Sequence, residues 1–303
     1  MDKIYLSDSG PKVSPAIYGF WRWEDTGATG AAAMEKMINH CLEVGINTFD
    51  HADRYGGYQC EELFGQVMKQ RSFKRDDIVL FTKCGLNVPH KNRPDIRIRH
   101  YDTSANHIVT SIENSLKNLG TDHIDIFLLE QLDPLSNLEE TALTLERMRS
   151  AGKIRNIGVI NFSVFQHQLL TSYLRVPIVT NHIELNILNT TALDNGQLDY
   201  IKQRYMRPLA SSPLAGGRIE NGTDELAVRV HYKLGELGKK YGANVEAIAV
   251  AWLIKLGALP LIGTLSEQRI RNIVAAFKVE LDNQDWYDLY NTSKGIISRA
   301  GDV

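Results

Sequence analysis

Three charged residues follow three successive apolar runs, and their types suit acid–base chemistry. Asp50 and Lys83 end the second and third runs, and Glu130 directly follows the fourth. Tyr55 lies just beyond Asp50. Because an ammonium group favours a nearby phenolate, we expect Lys83 to lower the pKa of Tyr55. The pattern therefore predicts Tyr55 as a general acid, Lys83 as the group that tunes it and Asp50 as the partner that holds Lys83.

The elements that must position these residues form a repeating order of short β-branched runs and amphipathic helical segments. The runs are Ala16–Phe20, Ile46–Asp50, Ile78–Lys83, Ile124–Leu129, Ile154–Val159, Ile178–Ile183, Met206–Ala210 and Leu259–Gly263. Eight strand-then-helix units predict an α/β fold, the (β/α)8 TIM barrel, whose strand ends meet in one mouth. Ser9-Gly10-Pro11, near the start of the chain, predicts an N-terminal β-hairpin that closes the barrel floor.

Two helices have clear boundary signals. Ser104 precedes apolar residues at helical spacing up to Leu119, which predicts a helix capped by Ser104. A second helical pattern runs from Leu138 to Arg149, and Gly152 follows it as a left-handed stop.

Composition excludes several classes of function. The chain has 303 residues and no Ser/Gly/Pro linker, so we expect one domain over residues 1–303. A formal net charge of −2 argues against nucleic-acid binding, and no apolar stretch is long enough to predict a membrane span. The three cysteines lack metal-ligand spacing, and the first residues lack the layout of a signal peptide. We therefore expect a cytoplasmic protein without a metal site, and the oligomeric state stays open.

A tuned acid in such a mouth suits protonation of a carbonyl oxygen that receives a hydride. No side chain supplies hydride, so this chemistry requires a cofactor. The sequence has neither a G-x-G-x-x-G fingerprint nor a P-loop pattern. We therefore expect no dinucleotide fold of the Rossmann type.

An ordered series of motifs resembles the aldo/keto reductase superfamily, in particular its bacterial NADP-dependent oxidoreductases. The series covers essentially the whole chain and consists of Phe49-Asp50-His51-Ala52-Asp53-Arg54-Tyr55-Gly56-Gly57-Tyr58, Phe81-Thr82-Lys83-Cys84-Gly85, Asp133-Pro134-Leu135, Ser212-Pro213-Leu214 and Leu261-Ile262-Gly263-Thr264. The resemblance implies NADP(H) as the cofactor and a small carbonyl compound as the substrate. It also implies that Asp50, Tyr55 and Lys83 are members of the catalytic tetrad, with Tyr55 as the proton donor.

The resemblance also implies a set of cofactor-binding positions. Asn161 matches the residue that binds the nicotinamide carboxamide, and the loop that follows the pyrophosphate contains Ser212, Leu214 and Gly216. Thr264, Arg269 and Asn272 match the positions that hold the 2′-phosphate and adenine. Arg269 also falls in the first turn of the helix after the eighth strand, where its guanidinium and the free amides would favour a phosphate.

Several positions depart from the family pattern. Ile160 replaces a serine, His182 replaces a glutamine, Ser211 replaces the aromatic residue that stacks on nicotinamide, and Gly263 lies where many members have a lysine. Trp21 and Trp23 are our candidates to cover the nicotinamide or to form a substrate wall, with packing at the rim as the alternative.

Glu130, in place of the tetrad histidine, leaves three functions open. A protonated Glu130 would strengthen enol formation and would favour reduction of an activated C=C bond, as in similar steroid double-bond reductases. An ionised Glu130 paired with Lys83 would make a poor reductase. The accumulated departures also allow a catalytically weak nucleotide-binding sensor or partner subunit. Carbonyl reduction is the function that the family resemblance favours.

Overall fold

The protein, described here from a computed structural model at residues 1–23, 30–70 and 73–296, has a closed barrel of eight parallel strands. We number the barrel strands β1 Ile17–Gly19, β2 Thr48–Asp50, β3 Val79–Cys84, β4 Ile124–Glu130, β5 Ile154–Ile160, β6 Ile178–Glu184, β7 Leu209–Ser211 and β8 Leu259–Ile262. Each strand pairs with the next, and β8 closes on β1 through Leu261 opposite Ile17. The predicted (β/α)8 barrel is confirmed.

Helices surround the barrel. The longer ones are Ala31–Glu43, Cys60–Gln70, Ala105–Leu119, Leu138–Ser150, Val164–Tyr173, Gln197–Gln203, Glu225–Tyr241, Val245–Lys255, Glu267–Val274 and Asn283–Lys294. Shorter helical turns span Tyr55–Tyr58, Thr191–Asp194 and Arg218–Asn221, and 3-10 turns span Arg75–Asp77, Ala215–Gly217 and Ala275–Lys278.

The two predicted helix boundaries are present. The hydroxyl of Ser104 accepts a hydrogen bond from the backbone N–H of His107, so Ser104 caps its helix. Gly152, which follows the C-cap residue Ala151 of the helix Leu138–Ser150, has a φ of 75°. In the described part of the chain, no helix combines the length and the apolar composition that a membrane span requires.

The N-terminal hairpin closes the barrel floor, as predicted. Its strands, Ile4–Tyr5 and Lys12–Val13, pair antiparallel. Leu6 and Val13 are fully buried and pack with barrel residues such as Phe81 and Leu128. Burial of these two side chains removes apolar surface from water and excludes solvent from the lower end of the barrel.

The strand ends on the opposite side form the mouth. A second hairpin, Leu86–Asn87 paired with His100–Tyr101, follows β3 at this side. Gly85 connects β3 to this hairpin with a φ of 118°, and a Cβ here would lie 2.7 Å from the carbonyl oxygen of Glu130. Only glycine permits this close approach, which brings the hairpin's start against the end of β4.

Candidate active site

Lys83 and Asp50 form a buried ion pair where β3 and β2 enter the mouth. Lys83 Nζ lies 2.6 Å from Asp50 Oδ1, and it donates a second hydrogen bond of 2.6 Å to the carbonyl oxygen of His51. Asp50 is fully buried and Lys83 is 3% exposed. Such a charge pair is tolerated in the interior because each ion compensates the charge of the other. The structure therefore brings Lys83 and Asp50 together in the predicted arrangement.

Tyr55 lies beside this pair, on the helical turn that follows β2. Gly56 and Gly57 continue the turn with left-handed φ values of 58° and 61°, which favour glycine. Lys83 Nζ lies 4.8 Å from the centroid of the Tyr55 ring, and the ring is 8% exposed. Within the part of the chain that the structure describes, the Tyr55 hydroxyl has no hydrogen-bond partner. It is therefore free to donate to a bound molecule.

The pKa of Tyr55 moves in the opposite direction to our expectation. Burial raises the pKa of Tyr55 well above its ordinary value, and the negative charge of Asp50 raises it further. The predicted effect of Lys83 is outweighed, because burial and the charge of Asp50, which pairs with Lys83 at 2.6 Å, both raise this pKa. Burial in turn lowers the pKa of Lys83, against the opposing influence of Asp50. In the free protein Tyr55 therefore keeps its proton.

Glu130 pairs with Arg54, which the sequence analysis did not single out. Arg54 Nη2 lies 2.7 Å from Glu130 Oε1 and 2.9 Å from Glu130 Oε2. Arg54 Cζ also lies 5.2 Å from the centroid of the Tyr55 ring, so this ring has two cations beside it. The alternative in which Glu130 pairs with Lys83 is not observed, because Lys83 pairs with Asp50. Both Glu130 oxygens are hydrogen-bond acceptors for the Arg54 guanidinium.

One groove at the mouth contains six of the predicted cofactor residues and Trp21. We call this the mouth groove; it is lined in part by Trp21, Ser212, Leu214, Gly216, Gly263, Thr264 and Arg269. The Trp21 ring packs against Gly19 and Gly263. An added Cβ atom would lie 2.1 Å from a ring carbon at Gly19 and 2.4 Å from a ring carbon at Gly263. The missing side chains at these two positions leave the space for the indole.

The three remaining predicted contacts of the nicotinamide lie at neighbouring strand ends. Asn161 is exposed after β5, and its backbone N–H donates a hydrogen bond of 2.8 Å to the carbonyl oxygen of His182. The Ser211 hydroxyl donates to the carbonyl oxygen of Ile183. His182 is buried against Phe81, and burial followed by the charge of Lys83 holds its pKa well below the ordinary value. These residues therefore present a neutral imidazole, an amide and a hydroxyl.

Trp23 and Asn272 lie outside the mouth groove. Trp23 is 5% exposed, packs on Phe20 and lines a different pocket beside Gly56. Its role as a substrate wall stays a prediction. Asn272 lines a second groove together with Arg269, and its side chain donates to Glu246. Strand alternation cannot locate Trp23, because it follows the end of β1 in a loop.

Two residues of the site were missed by sequence reasoning. Arg54 directly precedes Tyr55 in the sequence. The signal that could have indicated it is Glu130 in place of the tetrad histidine, because a partly buried carboxylate needs a cation as its partner. Glu246 lies in a distant helix, and nothing in its local sequence indicates a contact with Arg269.

The profile of the Aldo/keto reductase family matches residues 15–292. This chain belongs to the aldo/keto reductase family. It is 38% identical to a 6-dehydroglucose reductase of Agrobacterium fabrum over 97% of this chain and 99% of the relative. It is 34% identical to the oxidoreductase YdhF of Escherichia coli over 97% of this chain and 98% of the relative. The aldo/keto reductase described here is therefore an oxidoreductase.

Solved structures support the same fold. The chain superposes on the glycerol dehydrogenase AKR11B4 of Gluconobacter oxydans with a TM-score of 0.86, at 21% identity, over 98% of this chain and 97% of that chain. A thermostable aldo-keto reductase, Tm1743, has a TM-score of 0.83 at 24% identity, over 96% of this chain and 100% of that chain.

Aldo/keto reductases generally use nicotinamide cofactors, and the residues at this mouth fit such a group. His182 Nε2 is buried without a hydrogen-bond partner among the described residues, which leaves a polar atom for a ligand to satisfy. Gly216 and Gly217 have open space where a Cβ would lie, so a ligand can approach their backbone closely. The mouth groove then extends from Trp21 to the cation Arg269.

Proposed function

We propose that this aldo/keto reductase reduces a small aldehyde or ketone with NADP(H), and that Tyr55 is the general acid. The observation that carries this proposal is the position of the Lys83–Asp50 ion pair, with Lys83 Nζ at 4.8 Å from the Tyr55 ring and at 2.6 Å from Asp50. The cofactor supplies the hydride when it is bound. The proton must then come from a side chain of the mouth.

Tyr55 suits this role because it keeps its proton in the resting protein and its hydroxyl is unpaired among the described residues. As negative charge develops on the substrate oxygen, the hydroxyl donates its proton to that oxygen. The resulting phenolate lies beside Lys83 and Arg54, at 4.8 and 5.2 Å from the ring centroid. Both cations stabilise it, so they lower the barrier for proton transfer.

Each cofactor residue has a separate contribution in this proposal. Asn161 and His182 would hold the carboxamide, Trp21 would cover the nicotinamide, and Ser212, Leu214 and Gly216 would follow the pyrophosphate. Thr264 and Arg269 would hold the 2′-phosphate. Arg269 lies in the first turn of the helix Glu267–Val274, whose N-terminus favours a phosphate.

Reduction of an activated C=C bond remains the alternative reaction, but the geometry around Glu130 does not favour it. That alternative needs a protonated Glu130 that donates to the substrate oxygen. Both carboxylate oxygens of Glu130 instead accept from Arg54, at 2.7 and 2.9 Å. The carboxylate is therefore an acceptor in the resting protein.

The direct test is the reduction of a panel of aldehydes, ketones and enones, monitored through the oxidation of NADPH. Tyr55→Phe is the decisive variant. We expect carbonyl reduction by the wild type and a fall in kcat of at least about 100-fold in the variant. Tyr58→Phe is the matched control, because the Tyr58 hydroxyl is occupied by the backbone of Val88 and lies outside the proposed chemistry.

The same panel separates the alternatives. Reduction of enones alone, abolished in Glu130→Ala, would indicate C=C reduction instead of carbonyl reduction. Nucleotide binding that Tyr55→Phe leaves intact, without reduction of any substrate by the wild type, would indicate a sensor or partner subunit.

A further inference from the structure

Glu246 compensates the charge of Arg269, the residue proposed above for the 2′-phosphate. Arg269 Nε and Nη2 both lie 2.6 Å from Glu246 Oε1. Asn272 Nδ2 donates to the other carboxylate oxygen at 3.3 Å. Glu246 is 7% exposed, whereas the Arg269 side chain is 36% exposed. A largely buried carboxylate thus holds a half-exposed guanidinium at the surface of a groove.

This second groove, which we call the outer groove, begins where the mouth groove ends. Arg269 lines both grooves. The outer groove is lined in part by Glu220, Lys239, Asn244, Glu246, Arg269 and Asn272. Its charged side chains are therefore two acids and two bases, so the groove has no excess positive charge for a dianionic phosphate.

We infer that Glu246 sets the cofactor preference: by compensating Arg269 it weakens the discrimination of NADPH against NADH. The inference rests on the proposed function, because it requires that Arg269 meets the adenosine end of the cofactor. A phosphate that approaches Arg269 also approaches the Glu246 carboxylate, and the repulsion offsets part of the attraction. NADH lacks that phosphate, and a carboxylate near the ribose can accept a hydrogen bond from its 2′-hydroxyl.

The experiment compares dissociation constants for NADPH and NADH, measured by quenching of tryptophan fluorescence in the wild type and in Glu246→Gln. Glutamine keeps the size of Glu246 and one acceptor oxygen for Arg269. It removes the charge and the acceptor for Asn272. We expect the wild type to bind the two nucleotides within about tenfold of each other. In Glu246→Gln we expect NADPH to bind about fivefold more tightly, with binding of NADH nearly unchanged and the gain smaller at high salt.

Two controls isolate the pair. Glu267→Gln removes one negative charge from the first turn of the same helix, where Glu267 pairs with Lys36 at 2.9 Å, and it should leave the ratio of the two constants unchanged. In an Arg269→Met background, Glu246→Gln should no longer tighten NADPH, because the effect acts through Arg269. Thermal unfolding of every variant checks that its fold is intact.

Three results would overturn the inference. An unchanged NADPH affinity in Glu246→Gln would show that the Glu246 carboxylate does not repel the 2′-phosphate. NADPH affinity that falls, in a variant of normal thermal stability, would make Glu246 a support of Arg269 instead. Binding of neither nucleotide to the wild type would overturn the proposed function itself, and this inference with it.

Discussion

Arg54 holds both carboxylate oxygens of Glu130 through a single nitrogen, at 2.7 and 2.9 Å, while its guanidinium lies 5.2 Å from the centroid of the Tyr55 ring. The pair therefore replaces the tetrad histidine of the family with an ion pair whose cation faces the proposed acid. Arg54 lowers the pKa of Tyr55, whereas Glu130 and Asp50 raise it.

Changes to this pair should move the alkaline limb of the pH–rate profile in opposite directions. Arg54→Met removes a cation that lowers the pKa of Tyr55, so we expect the alkaline limb of kcat/KM to shift to higher pH and kcat to fall. Glu130→Gln removes a charge that raises this pKa, so the limb should shift to lower pH. Profiles of kcat/KM against pH for the two variants measure both shifts. Shifts of the same sign would contradict this account.

Loss of one partner of the buried Lys83–Asp50 pair should be costly for stability. Lys83→Met leaves the fully buried Asp50 without its cation, so we expect the free energy of unfolding to fall by about 3–5 kcal/mol in urea titrations. The double variant Lys83→Met with Asp50→Asn should recover part of that loss, because no buried charge remains unpaired. Equal destabilisation in the single and double variants would place the cost in packing instead of charge.

Asp53 should make stability depend on pH. Burial, followed by the charge of Glu61, raises the pKa of Asp53 to about 7, and the Ser111 hydroxyl donates to its carboxyl group at 2.9 Å. Because the folded state binds this proton more tightly than the unfolded state, the contribution of Asp53 is complete below its ordinary pKa of 3.8 and is lost as the pH rises to about 7.

Asp53→Asn removes this dependence while keeping an acceptor for Ser111. We expect the variant to exceed the wild type by about 1–2 kcal/mol in free energy of unfolding at pH 8, and by little near pH 4. Asp95→Asn is the control, because Asp95 is exposed and pairs with Arg93, so it should give no gain at either pH. A gain for Asp53→Asn that is the same at both pH values would rule out titration of Asp53 as its source.

A methyl group at Gly263 should disturb the mouth groove. Its Cβ would lie 2.4 Å from the Trp21 ring, so Gly263→Ala must displace the indole. We expect a shift of the tryptophan emission spectrum and at least about tenfold weaker binding of NADPH. Gly235→Ala is a control for the emission shift and for stability, since nothing lies within 4 Å of its added Cβ in the helix Glu225–Tyr241: it should leave the emission spectrum unchanged and stabilise the protein slightly. Unchanged binding in Gly263→Ala would remove Trp21 from the nucleotide site.

The fold could be predicted because each barrel strand combines a β-branched run with a following helix pattern, and this local signal repeats along the chain. Asp50, Tyr55 and Lys83 could be predicted for the same reason, since the ends of neighbouring strands must meet. The direction of the pKa shift of Tyr55 could not be predicted, because it depends first on how deeply the ring is buried and then on the charge of Asp50. Arg54–Glu130 and Glu246–Arg269 are contacts between distant segments, and local sequence does not encode their distances.

Trp21 belongs to the segment after the first strand, and the glycine beneath it, Gly263, follows the last. The two ends of the barrel sequence meet where β8 pairs with β1. The mouth groove is thus a product of ring closure, and a nascent chain has no such groove until its eighth strand is in place. Bound nucleotide would stabilise the β1–β8 pairing, because a ligand that binds only the closed barrel stabilises that form by mass action. As nucleotide is added, hydrogen exchange at the β1–β8 pairing should slow at lower nucleotide concentrations than hydrogen exchange at the β3–β4 pairing on the far side.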